Sequence, residues 1–234
     1  MLKILEYSIY YLREVKMKCN DRKSLLNRRP VLYTNPVQQM KYYLTELSDI
    51  IRNRRSIKPE HFNSRPIDKE TLSALLENAK WAPTHGLTQP WRFTVFIGEG
   101  LAVLSDFQCE TYKELAGKDK YNQKIYDKLK ARPYLASAVI AIGMKRQASG
   151  KIPEIEEVQA VACAVQNMFL TATAMGIAAY WTTGGLTYKD EMNTFLGLEE
   201  ADKCLGLFYL GNYDGEMPTS KRKEENYFVK WVTG

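Results

Sequence analysis

The chain has 234 residues, of which 45% are hydrophobic and 12% aromatic, and a formal net charge of +6. That suits one globular domain with an appendage and a real buried core, and no run approaches the roughly 18–20 apolar residues of a membrane-spanning helix. The four cysteines (Cys19, Cys109, Cys163 and Cys204) lie far apart with only two histidines to join them, which excludes the usual zinc spacings.

Residues 1–39 hold eight Lys and Arg against three acids, a net of +5 that leaves only +1 for the remaining 195 residues. A domain-wide basic face for nucleic acid is therefore not expected. The first twelve residues are interrupted by Lys3 and Glu6, with no cleavage site after them, and make a poor signal peptide. Cys163 and Cys204 stand among apolar residues and read as buried, reduced thiols of a cytoplasmic protein. Residues 1–39 read as a basic extension, disordered or an over-long start, and residues 40–234 as the domain.

From Tyr42 to Arg54, Leu44, Leu47, Ile50 and Ile51 make one apolar helical stripe, with Arg54-Arg55-Ser56 at its C-terminal end. Asp68 caps a second helix through Leu72, Leu75, Leu76 and Ala79. Pro83 and Pro90 stiffen both ends of the loop that follows, presenting Thr84, His85, Thr88 and Gln89. Trp91 to Ile97 alternates as a strand. Polar helices follow over about 101–117, a candidate lid or variable insert, and 119–131.

Ala138 to Met144 is a short apolar run, the pattern of a buried strand. The longest helix runs from Glu154 to about Met175, with Gly176 at the position after its cap. Ile177 to Trp181 is a strand entering a Thr182-Thr183-Gly184-Gly185 turn, Thr187 caps a short helix, and Leu205 to Leu210 is a fourth strand. The tail is first charged, Lys221 to Glu225, and then aromatic, Tyr227 to Trp231. Helices and strands alternate irregularly, so an α+β fold is expected.

Neither glycine-rich phosphate motif is present, so any phosphate must be held by side chains. Arg54 and Arg55 offer bidentate guanidiniums and Ser56 a hydroxyl, with Lys58 as a further donor; two arginines ending a helix also simply complement its dipole. His85 suits a ligand contact or a plain loop hydrogen bond. Gln89 can both donate and accept. Trp181 reads as core or as the edge of a flat-ligand site, because the glycines after Thr182 and Thr183 let backbone come close. No nucleophile elbow is present, and no cysteine sits in an electropositive loop.

Taken in order, Arg54-Arg55-Ser56, Ala82-Pro83-Thr84 leading to Gln89-Pro90-Trp91, the long helix, the Gly-rich turn and the basic tail resemble the FMN-dependent nitroreductase family across about residues 42–234. The likeness is to its short bacterial NAD(P)H nitroreductases. The resemblance implies an α+β nitroreductase fold with a central mixed or antiparallel sheet, in an intertwined homodimer with FMN at the interface. It implies that Arg54, Arg55 and Ser56 hold the FMN phosphate and ribityl chain, with Arg222 or Lys221 as a second clamp. His85 and Gln89 would reach the flavin, from the partner subunit in some arrangements, and Trp181, Thr182 and Thr183 would line its ring. Lys58 is a candidate for the charge beside the ring's N1–O2 edge.

The implied activity moves a hydride from NADH or NADPH through flavin N5 to a nitroaromatic, quinone or similar small-molecule acceptor, with no protein nucleophile. Leu87 stands where many members carry asparagine and lacks that residue's polar group. The alternatives are a specialised enzyme on the same fold (a dehalogenase or dehydrogenase), a module that binds or senses FMN without turnover, and a nucleic-acid or anionic-surface binder acting through residues 1–39.

Overall fold

The computed structural model describes residues 32–35 and 38–234, with side chains from Tyr43 onward. The basic residues Lys3 to Arg29, Met17 and Cys19 lie outside the described residues. The fold divides into two units, at Asp49.

The first unit contains an antiparallel hairpin of β1 (Leu32–Asn35) and β2 (Gln38–Tyr43). The domain start expected at residue 40 and the helix start expected at Tyr42 both fall inside β2. Residues 38–43 carry no helical apolar spacing, and their paired tyrosines favour a strand. Helix α1 (Leu44–Asn53) follows, and none of its residues is buried. Its apolar stripe is real but uncovered, with Leu47 50% and Ile51 48% exposed.

The second unit is built on a four-stranded antiparallel sheet: β3 (Trp91–Phe96), β4 (Ala138–Met144), β5 (Ala178–Thr182) and β6 (Lys203–Gly211), in the order β3-β4-β6-β5. β4 is buried at every position because both sheet faces are covered. On one face Ile140, Ile142, Phe208 and Leu210 meet α2 (Lys69–Ala79) and α5 (Glu154–Ala174). On the other, Val139, Ala141, Leu207 and Tyr209 meet Leu101 and Leu104 of α3 (Glu99–Lys120). Helix α4 (Gln123–Ala131) lies beyond α3, and α6 (Asp190–Phe195) precedes β6.

Local chemistry sets the helix ends. Asp68 Oδ1 accepts from the Thr71 amide at 2.7 Å and Oδ2 from its hydroxyl at 2.9 Å, and these bonds hold its carboxyl pKa below the usual value. At the end of α5 the Gly176 amide donates to Thr173 O and the Ile177 amide to Ala172 O, with Gly176 at φ +71°. This is a Schellman closure, and it turns the chain directly into β5.

Three expectations are corrected. Cys163 is exposed, not buried, because it lies about 200° around α5 from the buried Val161. Thr187 does not cap α6: Lys189 occupies the cap, and the buried Thr187 hydroxyl donates to Gly184 O at 2.9 Å instead. The candidate lid at 101–117 is a packed layer in its first half, where Leu101, Leu104, Gln108 and Thr111 repeat along one buried face. Its opposite face, with Val103, Asp106 and Glu110, and its end around the φ +58° break at Gly117 face solvent.

Candidate functional site

Where α1 ends, the chain crosses to the sheet. Ser56 forms a parallel bridge with Ala179, and the Ile57 amide donates to Ala179 O at 3.1 Å, so Arg54-Arg55-Ser56 is pinned along the β5 edge. The Arg54 guanidinium lies 5.0 Å over the Phe169 ring, and its Nη1 is 3.5 Å from Ser56 Oγ. Burial first, and then the positive charges of Arg222 and Arg55, push the Arg54 pKa below its usual value. Three guanidiniums thus converge from two segments 168 residues apart, and among the described residues none of them has an acidic partner.

The three arginines differ in what they do. Arg55 is spent on the backbone: its Nε donates to Pro218 O at 2.7 Å and its Nη1 to Arg52 O at 2.6 Å. It straps the C-terminal tail to the end of α1. Arg222 bonds the Ser220 hydroxyl and the Lys221 carbonyl, and its positive charge is among the causes that lower the Arg54 pKa. Arg54, Ser56 and Arg222 form a cradle suited to a phosphate dianion. Lys58 is exposed and contributes its carbonyl to a 3₁₀ turn at Pro59–His61.

The His85–Gln89 loop stands at the opposite sheet edge, before β3. Three strand spacings of about 4.8 Å separate the two edges, roughly 14 Å. Gly86, Leu87 and Gln89 all have positive φ (58°, 54° and 45°), a region costly for a side chain. The loop is held by Thr84 Oγ1, which meets Thr88 Oγ1 at 3.0 Å and accepts from the Gln89 amide at 3.3 Å. His85 Nδ1 lies 2.6 Å from Glu156 Oε2 in the first turn of α5. The Gln89 side chain is exposed and makes no hydrogen bond among the described residues. One chain therefore brings Arg54, Arg55, Ser56 and Arg222 together and keeps His85 and Gln89 apart from them.

Trp181 is held in the sheet. Its Nε1 donates to Leu205 O at 3.0 Å, and the ring lies so close to Gly206 (φ +140°) that a Cβ there would sit 2.2 Å from Nε1. Thr182 lines a cavity beside the turn, and Thr183 is exposed.

Glu156, Phe169 and Pro218 were not marked as site residues by the sequence. Their partners lie 71 or more residues away, and nothing local signals them.

An antiparallel α+β sheet with an uncompensated cationic cradle on one edge and a strained polar loop on the other defines a class of protein that grips an anionic ligand without a glycine-rich loop. The nitroreductase family model matches residues 51–212, and the chain belongs to that family. It is 33% identical over 151 residues to YdjA of Escherichia coli K12, named as an NAD(P)H nitroreductase, spanning 64% of this chain and 80% of that protein. Its fold is similar to the nitroreductase-like family protein from Bacillus cereus, with TM-score 0.72 and 26% identity over 83% of this chain and all of that one. At the level of fold alone it is similar to the FMN-dependent nitroreductase NfnB from Mycobacterium smegmatis, solved in complex with NADPH. That match has TM-score 0.63 and 19% identity, covering 81% of this chain and 99% of that one.

Proposed function

We propose that the protein is an FMN-dependent oxidoreductase that takes reducing equivalents from NADH or NADPH and delivers them to a nitroaromatic, quinone or similar small acceptor. The observation that carries this reading is the cluster of Arg54, Arg55 and Arg222 with no acidic partner among the described residues, on the β5 edge of a nitroreductase fold. Mutually repelling charges, one of them partly desolvated, are stabilised by an anion of matching geometry. The residues present fit a flavin phosphate: Arg54 and Arg222 supply the charge, Ser56 supplies a hydroxyl, and Arg55 holds the tail that carries Arg222. When bound, FMN supplies the hydride chemistry; the chain binds, orients and excludes water. Gln89 presents both a donor and an acceptor to a ring edge. Glu156 orients His85, and Trp181 stiffens the strand that delivers Thr182 and Thr183.

The working form is a homodimer. The cradle and the His85–Gln89 loop lie on opposite sheet edges, so a second copy is needed to bring one chain's loop to the other's cradle. Apolar surface is available for that contact: Ile51 is 48%, Phe228 68% and Trp231 77% exposed. No helix among the described residues is long and apolar enough to cross a membrane, consistent with a cytoplasmic enzyme. The test is the absorbance spectrum of freshly purified protein, repeated after anaerobic addition of NADH or NADPH. Flavin bands that bleach are expected; bands that persist with both nicotinamides would contradict reductase activity and favour an FMN store or sensor.

A further inference from the structure

The cavity that Thr182 lines, of about 490 Å³, lies between α4, the Thr182–Gly185 turn and Leu207 and Tyr209 of β6. That is the size range of a small-molecule site. Lys124, Lys128 and Arg132 recur every fourth residue along α4 and just past its end, so one helix face brings three cations to the cavity. No acid lines it. Among the described residues Lys124 and Lys128 have no ion-pair partner, and Arg132 has only Glu60, 3.9 Å from its Nε.

Two polar atoms on this wall are orphaned. Gln108 is 4% exposed, and among the described residues its buried Oε1 has no hydrogen-bond partner, nor has Arg132 Nε. Buried polar groups are rarely left unpaired, because each costs its full desolvation. The Arg132 guanidinium is fixed over the Tyr180 and Tyr209 rings, at 5.5 and 5.4 Å from their centroids. Burial pushes the Tyr209 phenol up to about 12, so it stays neutral beside the cations. Leu129 and Leu207 add apolar wall.

We infer that this cavity binds a small aromatic carboxylate, with its charge against Arg132, Lys124 and Lys128 and its ring against Leu129 and Leu207. A bare inorganic anion would leave the apolar wall unused, and a neutral aromatic would leave the charges of Lys124 and Lys128 uncompensated. That the carboxylate is the oxidised electron acceptor rests on the oxidoreductase reading above; its binding does not.

The experiment is calorimetric titration of the purified protein, with the flavin it carries, using benzoate and its neutral isostere benzamide. Benzoate is expected to bind one per chain and at least tenfold more tightly than benzamide. Lys128→Glu, on an exposed position, is expected to weaken benzoate at least tenfold with flavin content unchanged. Equal affinity for benzoate and benzamide, or benzoate binding that survives Lys128→Glu, would overturn the site. Steady-state comparison of 4-nitrobenzoate with nitrobenzene then tests the acceptor step, with kcat/KM expected at least tenfold higher for the anion. No preference overturns that step alone, and absence of turnover with either compound, while benzoate still binds, overturns the oxidoreductase reading and leaves the cavity assignment standing.

Discussion

Arg55 donates from Nε to the Pro218 carbonyl at 2.7 Å across 163 residues of chain, and so ties the C-terminal tail to the end of α1. Its neighbour Arg54 keeps its guanidinium toward the cradle. On the proposed reading the two arginines have separable functions: Arg54 would contact the anion, and Arg55 would position the segment that carries Arg222. Arg54→Ala is expected to weaken FMN binding by about 10- to 100-fold, the scale of a charge-assisted hydrogen bond. Arg55→Ala is expected to weaken FMN retention and also to speed tryptic cleavage at Lys221–Lys223. Unchanged cleavage would contradict the strap.

The sheet beneath Trp181 leaves no room for a methyl group at Gly206. A Cβ there would lie 2.2 Å from Trp181 Nε1 and 2.8 Å from the Thr182 carbonyl, on a backbone at φ +140°. Gly206→Ala is expected to destabilise the protein by about 3 kcal/mol or more. A thermal melt within error of wild type would show that this packing is wrong.

Leu87 is 79% exposed at φ +54°, so it carries backbone strain without burying its side chain. Leu87→Asn is expected to raise stability by up to about 1 kcal/mol, because asparagine tolerates the left-handed region. Chemical denaturation measures it, and a loss of stability would contradict the loop geometry.

The His85–Glu156 pair is 62% and 40% exposed. A double-mutant cycle on His85→Ala and Glu156→Ala is expected to give a coupling below about 1 kcal/mol. A larger coupling would make the pair a structural element rather than an aligner of the loop.

The depressed Asp68 pKa adds stability that is fully present above the ordinary carboxylate value of about 3.9 and is lost as pH falls through the lower folded-state value. Asp68→Ala is therefore expected to lower the Tm at pH 7 and to converge on wild type in strong acid. A gap that is constant with pH would show that the carboxylate charge plays no part in the cap.

Much of the fold is legible in local patterns. The continuous apolar run of β4 marks a strand covered on both faces, and Asp68 and Gly176 mark helix ends whose hydrogen bonds are local. The site is legible only in part. Arg54-Arg55-Ser56 shows as a set of phosphate donors, but the strapping role of Arg55 depends on Pro218, and the pressure on Arg54 on Arg222. Such pairings are made by tertiary folding across 160 residues or more. Cys163 was misplaced because an apolar neighbourhood in sequence does not fix which side of a helix a residue occupies.

The most direct test of the central claim is titration of the flavin-free protein with FMN and with riboflavin, which differ by the phosphate alone. FMN is expected to bind at least 100-fold more tightly, and Arg54→Ala with Arg222→Ala to bring the two ligands within a few-fold of each other. Riboflavin binding as tightly as FMN to the wild-type chain would contradict the assignment of this cluster as the phosphate site.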